Sequence, residues 1–293
     1  MPAGENNCDK FGGWSAGPLN LLHLSPVGAN NCDEFGWGRA IRSDRMKHGS
    51  VSYSRIAERY ERSRGGDARA VELAAAVRPW VPDGLVCDVG AGTGVVTEHL
   101  RRPGIDLLAC DLSPEMLTRA AARFPGRVHL ADATGLALRD GSVDALTYVW
   151  VLHHVGDLAA ALTEARRVLK TGGRAVSVSG MSVPADDDMS PIFERLNDAL
   201  RPERREQAMA VAPVGAEVGL TVVHEGWATT TASVSPNGLA DSIDDRMFSH
   251  LWDLPAATWS ALVEPATAEL RALPDPDRPR QRVFRHPLVV LTR

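Results

Sequence analysis

Val86-Cys87-Asp88-Val89-Gly90-Ala91-Gly92-Thr93-Gly94 is the stretch whose reading decides the fold. A short apolar run, with one carboxylate just ahead of the first glycine, passes straight into a glycine-rich turn. Glycines at alternate positions let the backbone run close under a ligand, because no Cβ stands in the way. A tight turn from strand to helix also leaves backbone N–H groups facing that ligand. Something nucleoside-like is therefore expected over this loop. A dinucleotide fingerprint reads Gly-x-Gly-x-x-Gly, but here the third glycine comes one place early, at Gly94, and position 95 is Val.

The segments that follow arrive in a fixed order. Leu107-Leu108-Ala109-Cys110-Asp111 is a second apolar strand ending in an acid, 21 positions after Gly90. A carboxylate there can accept two hydrogen bonds from a ribose diol. The next helix starts at Leu112-Ser113-Pro114-Glu115-Met116, where Ser113 can cap, Pro114 suits the first turn and Met116 can pack on an adenine. Val128–Ala133 makes a third strand with Asp132 at its end, and Asp144–His154 a fourth strand opening into a loop. Arg167–Gly173 reads as a helix ending on glycines, ahead of a strand over Arg174–Ser179.

This succession resembles the class I S-adenosylmethionine-dependent methyltransferases, of the UbiE and small-molecule type, across roughly positions 50–180. Asp88 followed by Gly90, Gly92 and Gly94 corresponds to the acidic residue and Gly-x-Gly-x-Gly of motif I in that family. The resemblance implies an α/β fold: a doubly wound, Rossmann-like, seven-stranded sheet, mostly parallel with an antiparallel last strand and a helical lid after the fifth strand. It implies S-adenosyl-L-methionine as the cofactor. Asp88, Gly90 and Gly92 are then expected to shape the pocket for its methionine end, Asp111 to take the ribose hydroxyls, and Leu112 and Met116 to sandwich the adenine. Asp132 and Ala133 would address the adenine edge, and Trp150 would touch either ligand. Tyr53 and Tyr60, on one face of a helical pattern beginning near Val51, resemble the segment that closes over the cofactor.

Candidate acid/base groups are His153 and His154, at the C-terminal end of the fourth strand, where ligand crevices of open α/β sheets lie. A His-His pair there also fits a role in positioning the loop. Arg246, His250 and Trp252 are weaker candidates for the acceptor side, while His224 and His286 read as ordinary strand residues. Asp186-Asp187-Asp188 reads as a solvated loop, so no metal site is expected.

Composition bounds the alternatives. The 293 residues, 44% hydrophobic, can bury one substantial core with room for an elaborated region. A net charge of −5 and a pI near 6.0 offer no field for a polyanion, which disfavours nucleic acid as partner. No run approaches a membrane span, and no basic-then-apolar segment reads as a secretory signal, so a cytoplasmic protein is expected. Among the four cysteines no Cys-x-x-Cys pair occurs; Cys87 and Cys110 fall in predicted buried strands and read as packing.

Residues 1–45 are rich in Gly, Asn and Pro and read as a disordered extension, with Met46 an equally good start. They hold a repeat: Asn6–Gly12 recurs as Asn30–Gly36, identical at six of seven positions, each copy followed by a tryptophan. The methyltransferase domain is expected over 46–293, its cofactor half at about 50–180 and its lid and substrate half at about 181–293. The leading expectation is methyl transfer to an O, N or C nucleophile of a small molecule, as in specialised metabolism. A peptide or protein acceptor, suggested by the repeat, and a non-catalytic cofactor-binding regulator stay open, as does a homodimer. A nicotinamide oxidoreductase is disfavoured by Val95 and by Asp88.

Overall fold

A computed structural model of the chain describes residues 66–183 and 186–293. Tyr53, Tyr60 and the whole of 1–45 lie outside those residues. The described chain begins with α1 (Gly66–Val77), whose Ala70, Leu73, Ala74 and Val77 share the helical spacing of one face and are buried. There follow β1 (Gly84–Val89), α2 (Val95–His99), β2 (Ile105–Asp111), α3 (Pro114–Arg123), β3 (Val128–Leu130) and β4 (Val143–Val149). Next come α4 (Leu158–Val168), β5 (Leu169–Val178), α5 (Ser190–Leu200), α6 (Arg204–Met209), α7 (Val211–Glu217) and β6 (Thr221–Val234). The last elements are α8 (Pro236–Asp244), α9 (Ala256–Thr258), a π-helical turn (Trp259–Val263), α10 (Glu264–Arg271) and β7 (Arg280–Thr292).

One seven-stranded sheet runs in the order β3-β2-β1-β4-β5-β7-β6. Strands β1 to β5 pair in parallel, and β7 pairs antiparallel with both β5 and β6. The four central residues of β2 and the last four of β1 are buried, as continuous apolar runs covered on both faces should be. The chain leaves β1 toward β2 and β3 and returns to the other side of β1 as β4. That reversal makes the C-terminal ends of β1 and β4 the switch point where an open sheet opens a crevice.

Two apolar clusters fill the two faces of the sheet. A third stands apart, built from Met189, Ile192, Leu196, Leu239, Ile243, Leu251, Val263 and Leu270. It joins α5, α8 and α10 into a helical lid with a core of its own. Each such fully buried aliphatic side chain contributes about 1.5–3 kcal/mol. Cys87 and Cys110 are buried as expected, with their sulfurs 3.7 Å apart. Hydrogen bonding to Cys87 and burial push the Cys110 thiol well up, which keeps it inert.

Two expectations are corrected. The helix before β5 ends at Val168 rather than on the glycines, and the strand begins at once with Leu169. Val143 pairs with Leu169 but Ala145 with Arg174, so Lys170–Gly173 bulge out of the pairing. The aspartate triplet is not simply a solvated loop. Asp187 forms an ion pair with Arg282 at 2.6 Å, the two side chains only 8% and 4% exposed. The other Asp187 oxygen accepts the N–H groups of Met189 and Ser190 at 2.9 and 2.7 Å, and Arg282 also donates to Ser190 Oγ at 2.9 Å. Asp188 pairs with Arg280 at 3.0 Å. The triplet latches the start of the lid to β7.

Candidate functional site

Parallel pairing in register carries the ends of β1, β2 and β4 to one rim, with Asp88 opposite Ala109 and Thr147. The glycine loop leaves β1 there and is tied down by its neighbour: Gly90 and Ala91 donate their N–H groups to the carbonyl of Cys110 at 2.8 and 2.9 Å. Gly90 sits at φ 70°, and a Cβ on it would lie 2.2 Å from Val151 Cγ2. Only glycine meets both conditions.

Asp111 closes the loop from the other side. Its two oxygens accept Gly92 N–H and Ser113 N–H, each at 2.8 Å, so one carboxylate ties the glycine loop to the start of α3. Burial raises its carboxyl above the ordinary range, opposed by those backbone donors. A carboxylate has more acceptor positions than these two donors fill, and one left over can take an incoming hydroxyl. Ser113 caps α3 as expected, accepting Met116 N–H at 3.3 Å. Leu112 stands exposed beside it, whereas Met116 is buried and offers little surface to a ligand. Asp132 and Ala133 follow β3 at the same rim, and Asp132 Oδ1 accepts from the N–H and hydroxyl of Thr134 at 2.8 and 2.7 Å.

Asp88 is 3% exposed. It accepts the Thr147 hydroxyl at 2.6 Å on one oxygen and the Thr97 hydroxyl on the other. Burial nevertheless raises its carboxyl to about 6, with the nearby Asp111 adding to the rise and both threonines opposing it. A carboxylate held at such a cost beside a cleft is a functional-site candidate.

Trp150 follows β4 and adopts φ 59°, a left-handed conformation that a bulky residue seldom takes. Its ring lies 5.3 Å from that of His286, and the Arg69 guanidinium carbon lies 5.7 Å from its centroid. Its indole N–H is buried with no hydrogen-bond partner among the described residues, and the same holds for the Thr93 hydroxyl. Both residues line a recess of about 50 Å³ with Gly66, Arg69, Asp88 and Gly90. His153 and His154 occupy the 3₁₀ turn Leu152–His154 with ring centroids 3.9 Å apart. A Cβ on Gly180 would lie 2.3 Å from His153 Cε1, so β5 hands over to the lid directly against that ring.

His286, read from sequence as an ordinary strand residue, is buried against Trp150 and within 3.0 Å of the Thr230 hydroxyl. Burial and then the Arg69 charge push it down to about 4, so it is neutral near pH 7. His224 stacks on Trp80 at 4.2 Å. Arg246 donates to the carbonyls of Leu251 and Trp252 at 2.7 and 2.8 Å and receives Trp252 Nε1–H on its own carbonyl at 2.7 Å. Those two side chains thus fasten a lid loop to itself. Arg69 was missed by sequence reading altogether, because nothing local in α1 distinguishes it from a surface arginine.

Residues 87–177 match the family model described as a methyltransferase domain. Over that stretch the chain is similar to methyltransferase domains. It is 39% identical over 104 residues to a demethylmenaquinone methyltransferase of Beutenbergia cavernae, covering 35% of this chain and 43% of that protein. It is 40% identical over 129 residues to an uncharacterized methyltransferase of Mycobacterium tuberculosis, covering 43% of this chain and 50% of that one. The chain thus spans about half the length of the curated relatives it matches. Among solved structures, the [4+2]-cyclase SpnF superposes with a TM-score of 0.52 at 19% identity, covering 82% of this chain and 94% of its own. A Bacillus halodurans protein described as a methyltransferase gives 0.51 at 18%, with 76% and 97% covered. At such identities the likeness is one of fold. No described helix is long and apolar enough to cross a membrane.

Proposed function

We propose that the protein is an S-adenosylmethionine-dependent methyltransferase that methylates an O, N or C nucleophile of a small molecule. The observation that carries this reading is the Asp111 clamp. One carboxylate holds Gly92 N–H and Ser113 N–H at 2.8 Å, at the rim where β1, β2 and β4 end beside the recess. Its free lone pairs suit the ribose diol, with Leu112 and the Asp132–Ala133 turn flanking the adenine. The buried orphan donors of Thr93 and Trp150 fit a polar end group in the recess. Bound S-adenosylmethionine would supply a methyl already activated on a sulfonium.

This chain's own residues hold the partners in line and exclude water. His153 and His154 are placed to take a proton from an acceptor hydroxyl or to orient the loop that meets it. The lid of α5, α8 and α10 covers the acceptor, so residues 181–293 form the substrate half and about 50–180 the cofactor half. The test is mass spectrometry of host extracts incubated with S-adenosylmethionine and either the full chain or a version beginning at Met46. A metabolite gaining one CH₂ with both versions supports the reading. A gain on the protein's own first 45 residues transfers it to a peptide acceptor, and failure to bind S-adenosylhomocysteine refutes it.

A further inference from the structure

Strands β6 and β7 run on together past the end of β5. Strand β5 pairs with β7 only as far as Val178 and Leu288, whereas β6 and β7 stay paired to Val234 and Arg280. One face of this two-stranded ribbon is buried through Ala228, Thr230, Arg282 and His286, with α1 packed on its Ala228 side. The other face leaves Trp227 49% and Val283 52% exposed, with Thr229, Thr231 and Arg285 exposed among them.

Strand β6 is also the last strand of the sheet, and among the described residues no strand pairs with its outer edge. The Thr231 N–H points outward, since it donates to Glu72 Oε2 at 2.9 Å. Alternate residues of an antiparallel strand turn their N–H and C=O groups to the same side, so those of Trp227, Thr229 and Ser233 point outward too. An open edge is ordinarily guarded by a charge, a proline or a bulge. Gly226–Val234 holds none of these: the bulge lies between Val222 and His224, the adjoining charge is Glu225, and the next proline is Pro236. The helix beside that edge is open as well. Ala68, Val71 and Ala75 follow at i, i+3 and i+7 on α1 and are exposed, Val71 at 45%. Glu72 meets Thr231 and Trp80 stacks on His224, so the middle of α1 lies opposite Thr229. Apolar side chains thus flank one edge on both sides, Val71 on the helix and Trp227 on the ribbon.

We propose that a second copy of the chain pairs here, β6 antiparallel to β6 about a two-fold axis at Thr229. Trp227 of each copy pairs with Thr231 of the other, displaces Glu72 and lies toward Val283 of that copy. The same axis crosses α1 between Val71 and Ala75, so each Val71 meets Ala75 of the second copy. It also brings Asp67, at the start of α1, near Arg78 just beyond its end. Both hold His99 and both remain exposed, so opposite charges face each other twice. The nine residues Gly226–Val234 make an edge about 30 Å long, and helix and sheet together are about 20 Å deep, so each copy covers about 600 Å². That reaches the low end of specific interfaces, about 1,200 Å² in total, and predicts a reversible dimer of micromolar affinity.

The test is sedimentation of the full chain over a dilution series from low to high micromolar, with hydrogen exchange on the same samples. Dimer is expected to grow with concentration, and protection of the outward amides of Trp227, Thr229 and Thr231 to grow with it. Thr229→Pro removes an outward N–H that β7 does not use, and Val71→Lys sets two like charges beside the axis. Each should weaken association about tenfold or more, with circular dichroism unchanged. A dimer that neither substitution weakens is joined elsewhere and overturns the assignment, as does a chain that stays monomeric with those amides unprotected. A monomer whose Trp227 and Thr229 amides are protected at every dilution gives the edge to residues 1–65 of its own chain, which also overturns the second copy.

Discussion

Replacing Asp88 with Asn should stabilise the protein at neutral pH while weakening its site. Burial raises the Asp88 carboxyl from 3.8 to about 6, so the folded state holds that proton more tightly than the unfolded chain. The stability this gives is present below 3.8 and lost as pH rises to 6, a loss of about 3 kcal/mol. His286 works in the opposite direction, because its folded value falls from 6.5 to about 4. Its contribution is present above 6.5 and lost as pH falls toward 4, again about 3 kcal/mol. In the wild type the two nearly cancel between pH 4 and 6.5. An Asn at 88 removes one of them. Its amide can accept from one threonine hydroxyl and donate to the other, since hydroxyls serve as both donors and acceptors. Urea unfolding of Asp88→Asn and wild type, compared from pH 4 to 8, cancels the titrations common to both. The variant should match the wild type near pH 4 and exceed it by up to about 3 kcal/mol at pH 7.5. A difference that does not change with pH, or a variant less stable at pH 7.5, would refute the reasoning.

Gly90→Ala combines a left-handed backbone with a Cβ 2.2 Å from Val151. It should cost about 2–4 kcal/mol in unfolding free energy, part of which Val151→Ala recovers. Asp187→Asn leaves Arg282 buried without its counter-ion, at an expected cost of about 3–5 kcal/mol. Limited proteolysis should then cut the lid before the sheet, and unchanged protection would argue against a latch. Asp111→Asn forces an amide nitrogen toward Gly92 N–H or Ser113 N–H. S-adenosylhomocysteine affinity should drop about tenfold or more in calorimetry, with secondary structure retained by circular dichroism.

The sheet and its rim were legible because their signals are local. Apolar runs ending in Asp88 and Asp111, with glycines immediately after, specify strand, turn and ligand edge within a few residues. What stayed hidden depends on residues far apart in sequence. Asp187 and Arg282 are 95 positions apart, and a run of three aspartates ordinarily belongs to a solvated surface. His286 lies on a strand of alternating pattern, and only the pairing of β7 beside β5 brings it against Trp150. The bulge at Lys170–Gly173 shows the same limit at short range: two glycines fit a helix end equally well until the register of β4 is known.

The division between sheet and lid also bears on where the acceptor is chosen. The family match ends at residue 177, just before β5 ends and the lid begins. The lid has its own apolar core and is joined to the sheet through Asp187–Arg282 and Asp188–Arg280. Arg282 leans on Phe284, Phe284 lies under Arg69, and Arg69 faces the recess. Lid placement and the lining of the recess therefore share one short run of contacts. A change at Arg282 should reach both, so Arg282→Lys is expected to alter acceptor KM and cofactor affinity together. An exchange confined to the lid core, such as Leu196→Met, should leave cofactor affinity alone. If Arg282→Lys also leaves cofactor affinity unchanged, the lid and the recess are independent, and acceptor choice resides in the lid by itself.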